Sequence, residues 1–184
     1  MKTQSVKEIQ KETFKSLKEH FDYKNVMQAP RLLKVVISVG TGSLKDKKKQ
    51  ELIADRLTKI TGQKPIVRGA KQAIANFKTR ENDPIGYQVT LRGARMISFV
   101  DKLLNVSLPR TKDFRGINET GVDSIGNMTI GIKEHTIFPE VVDEELKDVF
   151  GLAVTLVTTA KTKEEARAFF DLLKFPFRKI KDKK

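Results

Sequence analysis

The side chains able to carry proton or metal chemistry are few and scattered. The chain has two histidines, His20 and His135, and no cysteine. Neither histidine lies in a metal-ligand spacing such as H-E-x-x-H, and without cysteine there is no disulfide, thiolate zinc site or thiol nucleophile. Glu8, Glu12 and Glu19 share one side of a helical stretch with lysines between them. That is the pattern of a solvated face, not of paired acids with environments that push their pKa values apart. Asp143, Glu144 and Glu145 open a predicted helix, where negative charge suits the positive end of the helix dipole. Val39-Gly40-Thr41-Gly42-Ser43 follows a strand and precedes a helix, the place of a phosphate loop. No Gly-Lys pair follows at the required spacing, however, and Lys45 stands where a dinucleotide motif needs its third glycine. Asn118-Glu119-Thr120 has the glycosylation pattern, which carries no meaning in a cytoplasmic chain. The residues therefore point to no catalytic group, no metal and no cofactor, and an enzyme would need a cluster that two distant histidines do not make.

Charge points elsewhere. Lys and Arg number 36 against 23 Asp and Glu in 184 residues, a net charge of +13. Such an excess repels itself unless a polyanion neutralises it, and nucleic acid is the commonest polyanion for a domain this basic. An anionic membrane surface and a merely basic soluble protein are the competing readings. Residues 1–20 alternate charge without the apolar stretch of a secretory signal, and no run approaches the roughly 18 apolar residues of a membrane span. A soluble, cytoplasmic protein with no membrane partner is the expectation.

The elements that must position these charges follow from periodicity. Lys2 to Phe21 reads as an amphipathic helix with Val6, Ile9, Phe14, Leu17 and Phe21 near helical spacing, and Ser5 with Glu8 forms a capping-box pattern. Leu33, Val35, Ile37 and Val39 alternate with Lys34, Val36 and Ser38 as a half-buried strand. A helix from Asp46 to Thr61 ends at Gly62, where a left-handed cap belongs. Pro65 to Val67 is a short extended piece, and Gln88 to Arg92 a strand. A helix from about Ala94 to Val106 buries Met96, Ile97, Val100, Leu103 and Leu104 before Pro109. Met128, Ile130 and Ile132 mark a strand, Asp143 to Asp148 a short helix, and Leu152 to Thr159 a strand of β-branched residues. Thr162 and Glu165 cap a final helix carrying Ala166, Phe169, Phe170 and Leu173. Without regular βαβ alternation, this predicts an α+β fold, with an antiparallel or mixed sheet and helices packed on one face. One domain spans 1–184, with long loops at 68–86 and 110–127 and a basic tail at 174–184.

Two surfaces could bind RNA. In the 68–86 segment Arg68, Lys71, Lys78 and Arg80 accompany Phe77, which sits between Asn76 and Lys78. Such a loop can contact phosphates and stack on an exposed base, or Phe77 can fold back into the core. Gln88, Thr90 and Arg92 point the same way from one strand, offering amide, hydroxyl and guanidinium to phosphate and 2′-hydroxyl oxygens. An ordinary solvated sheet face would look the same. The tail and Lys45 to Lys49 read as phosphate-screening or simply solvated charge.

Eight blocks in order carry a resemblance. They are Val26-Met27-Gln28-Ala29-Pro30-Arg31, Thr61-Gly62-Gln63-Lys64-Pro65, Pro84-Ile85-Gly86, Val89-Thr90-Leu91-Arg92-Gly93, Asp113-Phe114-Arg115-Gly116, Ile137-Phe138-Pro139-Glu140, Thr158-Thr159-Ala160-Lys161 and Phe175-Pro176-Phe177-Arg178. Running from about residue 21 to 178, they resemble the family of bacterial large-subunit ribosomal protein five. The resemblance implies a single α+β domain whose sheet face binds 5S ribosomal RNA in the central protuberance. The implied RNA contacts fall on Gln63, Thr90 and Arg92, beside Gln88, and on Ser38 where the family usually has asparagine. Serine is shorter, so that contact would be lost or bridged by water. The resemblance also implies that the protruding loop, with Lys71, Phe77, Lys78 and Arg80, approaches the elbow of the peptidyl-site transfer RNA. It further implies neighbours among large-subunit ribosomal RNA and proteins and a bridge to a protein of the small-subunit head, to which the 110–127 loop could contribute. The rival reading is a general nucleic-acid-binding or chaperone module with no fixed partner.

Overall fold

The computed structural model describes residues 5–44, 46–112, 114–141 and 149–178. Along the chain run α1 (Val6–Phe21), β1 (Leu32–Gly40), α2 (Lys47–Thr61), β2 (Ile66–Gly69), β3 (Pro84–Leu91), α3 (Gly93–Lys102), β4 (Met128–Ile132), β5 (Leu152–Thr158) and α4 (Lys163–Leu172). The five strands form one antiparallel sheet in the order β2-β3-β1-β5-β4, so the α+β expectation holds and the sheet is not mixed. The helix expected at Asp143 to Asp148 lies outside the described residues, as do Lys45 and residues 179–184.

The pleat sorts the strands into two faces. Val35, Ile37 and Val39 of β1, Val89 and Leu91 of β3, Met128, Ile130 and Ile132 of β4, and Leu152, Val154 and Leu156 of β5 are buried. The residues between them are half-buried or exposed. The alternation predicted at the start of β1 is displaced: Leu32 is buried and Leu33 is 42% exposed. Leu32 and Val35 are three positions apart, so the strand enters with a break in its period that a strict two-residue rule misses.

Two compact units divide the chain, one of residues 1–35, 92–130 and 155–184, the other of 36–91 and 131–154. In the first, α1 packs on α3 and α4. Its start is fixed twice: Ser5 and Glu8 form the expected capping box, and Asp101 of α3 accepts from Ser5 Oγ at 3.0 Å and from the Val6 amide at 2.9 Å. The helix predicted from Ala94 to Val106 changes its hydrogen bonding after Lys102. Leu103–Ser107 continues as a π-helical turn, Leu108 N donating to Leu103 O at 2.9 Å. Phe99, absent from the predicted core, is buried there, whereas Ile97 and Leu104 are half-buried. The predicted capping pair of α4 is also rearranged. Thr162 caps the Glu165 amide, but the Glu165 carboxylate turns away to accept from Lys161 N at 2.8 Å and from the Tyr23 hydroxyl at 2.5 Å. Leu173 and Phe175 are buried, so the segment expected as a basic tail begins inside the core, with Phe175 edge-on to Phe170.

In the second unit α2 packs against β3 and the turn Pro139–Val141. Asp46 caps it by accepting from Lys48 N at 3.0 Å, and Gly62 ends it in the left-handed conformation, as expected. β3 begins four residues earlier than predicted, at Pro84. Thr41 N donates to Ile85 O at 2.8 Å, which sets the end of β1 against the beginning of β3. Gly86 makes this approach possible, because a Cβ there would lie 2.7 Å from Val39 O.

Gly86→Ala is therefore expected to cost roughly 1–3 kcal/mol, the usual range for forcing a methyl into filled space. Gly40→Ala, whose added Cβ would meet nothing within 4 Å, is expected to change stability far less. Denaturant titration of both variants reads the difference. A second outcome concerns pH. Burial first, then the hydrogen bond to Glu165 and its charge, hold the Tyr23 hydroxyl well above its ordinary range. Tyr23 therefore keeps its proton in the folded chain where an unfolded tyrosine ionises, near pH 10. Its stabilisation is fully present below that pH and is lost as pH rises above it. In a Tyr87→Phe background the 295 nm absorbance change of Tyr23 should coincide with loss of the circular dichroism signal, and a transition well before unfolding would contradict it.

Candidate nucleic-acid interface

Ser38, Gln88 and Thr90 lie on the side of β1 and β3 opposite the buried residues, and all three are half-buried. Ser38 and Gln88 each stand three residues in from the Thr41–Ile85 hydrogen bond, one on each of the two adjacent strands. Gln63 follows the Gly62 cap and precedes β2; its amide donates to the Thr61 hydroxyl oxygen at 3.3 Å. Arg92 is not a strand residue as expected. β3 ends at Leu91, and Arg92 is the exposed N-cap of α3, its backbone still extended at φ −139° and ψ 164°. An arginine has no acceptor with which to cap a helix, and its side chain makes no cap hydrogen bond.

The side-chain polar atoms of Ser38, Gln63, Gln88, Thr90 and Arg92 make no hydrogen bond or ion pair among the described residues. The contrast with other threonines is direct. Thr13, Thr58 and Thr61 donate to carbonyl oxygens one helical turn back, and Thr129 and Thr155 share a hydrogen bond at 3.0 Å. A half-buried amide or hydroxyl with its hydrogen-bonding capacity unspent is what a ligand with matching donors and acceptors requires.

The pairing of β2 with β3 adds residues that periodicity alone does not place on this face. Ile66 lies opposite Gln88, Val67 opposite Tyr87 and Arg68 opposite Gly86. Cross-strand partners point to the same side of a sheet, so Arg68 and Ile66 share the face of Gln88. The sequence pattern leaves Arg68 in an irregular loop. The signal that places it is the extension of β3 back to Pro84, which its exposed first residues conceal.

The segment 68–86 is a hairpin whose connection runs only from Ala70 to Asp83. Its tip is ordered by its own backbone: Ile74 and Thr79 exchange hydrogen bonds at 3.0 and 3.3 Å, and Ala75–Phe77 forms a short 3-10 turn. Asp83 closes the base by accepting from Arg80 N at 2.7 Å. Lys71, Phe77, Lys78 and Arg80 are all exposed. One reading of Phe77 is excluded: the residue is 76% exposed and does not return to the core. Ile74 beside it is exposed as well, giving the tip two apolar side chains among cations.

No group of three or more His, Asp or Glu able to hold a metal occurs among the described residues. His20 is exposed on α1, and His135 is buried, stacked on Phe150 at 4.1 Å with Arg56 Nη1 3.2 Å from its Nε2. A buried imidazole held between a guanidinium and a ring is a packing element. No helix among the described residues is long and apolar enough to cross a membrane.

The face and the hairpin tip bring together polar side chains with unspent hydrogen-bonding capacity and exposed cations, the makings of a binding surface. Comparison with known proteins gives the family: residues 25–80 match the family described as ribosomal protein L5, and residues 84–177 match the model of that family's C-terminus. The chain belongs to the ribosomal protein L5 family, whose members are structural and not enzymes. It is 48% identical over 171 residues to large ribosomal subunit protein uL5 of Thermoanaerobacter sp. (strain X514), covering 92% of this chain and 96% of that protein. The corresponding uL5 of Heliobacterium modesticaldum is 49% identical over the same length, covering 92% and 95%, and that of Halothermothrix orenii 46%, covering 92% and 96%.

Because Phe77 contributes little to the core, Phe77→Ala is expected to change folding stability by no more than about 0.5 kcal/mol, as for ordinary surface substitutions. Thermal unfolding would check this, and a loss of several kcal/mol would mean that the ring packs.

Proposed function

We propose that the protein is a structural constituent of the large ribosomal subunit, located with ribosomes in the cytoplasm, and that it binds 5S ribosomal RNA through the open face of β1 and β3. The observation that carries this reading is the unspent hydrogen-bonding capacity of Ser38, Gln63, Gln88, Thr90 and Arg92 in a protein of net charge +13. Amide, hydroxyl and guanidinium groups suit 2′-hydroxyl and phosphate oxygens, while Arg68 on the same face supplies positive charge. Ser38 offers a hydroxyl only, so its contact is direct at short range or bridged by water.

The hairpin tip, with Lys71, Phe77, Lys78 and Arg80, is assigned to the elbow of the peptidyl-site transfer RNA. Its exposed aromatic ring and cations, held by a hydrogen-bonded turn, suit a stacked and phosphate-rich surface. A bridge to a protein of the small-subunit head, together with large-subunit RNA and protein neighbours, completes the assignment.

The test is titration of 5S RNA by filter binding. Arg92→Ala and Thr90→Val are expected to weaken binding at least tenfold, whereas Lys15→Ala, which removes one exposed charge from α1, has little effect. If six to ten phosphates are engaged, affinity should fall about a thousandfold or more between 50 and 200 mM salt. Equal effects of all three variants would reject the sheet face. Equal competition by an unrelated RNA of the same length would favour a general nucleic-acid chaperone.

A further inference from the structure

The first compact unit contains an open cleft of about 1080 Å³ that the sheet-face reading does not use. It is somewhat larger than the roughly 300–1,000 Å³ of a small-molecule pocket, which suits a length of polymer better than one metabolite. Two of the three chain segments that line it are laced together by their backbones. Ile117 N donates to Pro176 O at 2.8 Å, and Arg178 N donates to Ile117 O at 2.9 Å. Gly116, at φ +94°, permits the approach, since a Cβ there would stand 2.7 Å from Arg178 N.

The chemistry within the cleft is of two kinds. Phe114 and Phe177 are half-buried aromatics. The guanidinium of Arg167 lies 3.5 Å from the Phe177 ring centroid, held by Glu119 at 3.0 Å and Asp171 at 3.2 Å, so the ring is clamped in place. Those pairs also occupy the Glu119 carboxylate that lines the cleft. Arg115, Lys163 and Arg178 come from three separate segments. All three are exposed and make no ion pair among the described residues. One clamped ring beside a second half-buried aromatic, cations that make no ion pair among the described residues, and Asn118 and Thr120 as hydrogen-bonding side chains are the parts from which single-stranded nucleic-acid sites are built. An acidic peptide would use the cations but has no need of the aromatic wall.

The geometry points to this cleft as a second RNA site, one that takes an unpaired stretch of ribonucleotides, with a base against the aromatic wall and phosphates on Arg115, Lys163 and Arg178. The inference does not rest on the 5S assignment, because none of the sheet-face residues lines the cleft.

The test uses the full chain and a single-stranded dodecamer RNA carrying 4-thiouridine. Irradiation is expected to crosslink it to peptides containing Phe114 or Phe177. The double variant Arg115→Ala/Arg178→Ala should lower that yield at least fivefold, and the log–log salt slope of dodecamer binding should fall by about 1.4, at about 0.7 per cation on a single strand. Circular dichroism melting verifies that the variant is folded, which the structure favours because the Arg178 latch is made by its backbone. Arg92→Ala should leave the crosslink to this cleft unchanged. Crosslinks confined to the 70–83 hairpin tip and the sheet face would overturn the proposal. Displacement of the dodecamer from the cleft by decaglutamate at equal concentration would overturn it too, and would reassign the cleft to an acidic peptide.

Discussion

The two-residue period of the pleat is the constraint on which the rest depends. Each strand can seal one side with Val, Ile and Leu only by turning every second residue the other way. On β1 and β3 those alternate residues include Ser38, Gln88 and Thr90, whose side chains find no partner among the described residues. Water satisfies them at little cost while the face is open. In the proposed reading, RNA replaces that water only by supplying donors and acceptors of its own, so the polar residues would orient it and the cations attract it. Affinity from counterion release and register from a rigid sheet are separate contributions, made by different side chains.

Much of this is legible in the sequence because local rules agree with the final packing. The capping box at Ser5 and Glu8, the Gly62 stop, the alternation of β4 and the β-branched run of β5 each depend on a few neighbouring residues, and each appears where expected. The departures have tertiary causes. β3 begins at Pro84, although its first residues are exposed, because β2 and the end of β1 supply its hydrogen bonds. Glu165 leaves its expected capping partner because Tyr23, distant in sequence, offers a stronger donor in a buried place. The π-helical turn after Lys102 has no local signature.

The candidate interface is legible to a different degree. The Gln88–Thr90 face follows from periodicity alone, while Ser38 and Gln63 come only through resemblance to a family. Arg68 is visible as a charge but not as a member of the face, since only strand pairing shows which way it points. The exposure of Phe77 cannot be read at all. An aromatic between polar neighbours fits a core or a platform equally well, and the hydrogen-bonded turn around Ala75 keeps this one out of the core.

The bond between Ile117 and the Pro176–Arg178 segment has a temporal side. Its partners stand about sixty residues apart. A chain made from its amino end cannot close this latch until Arg178 has emerged from the machine that makes it. Until then the Phe114 loop lacks the segment that steadies it, so the shape of that region is fixed late in synthesis.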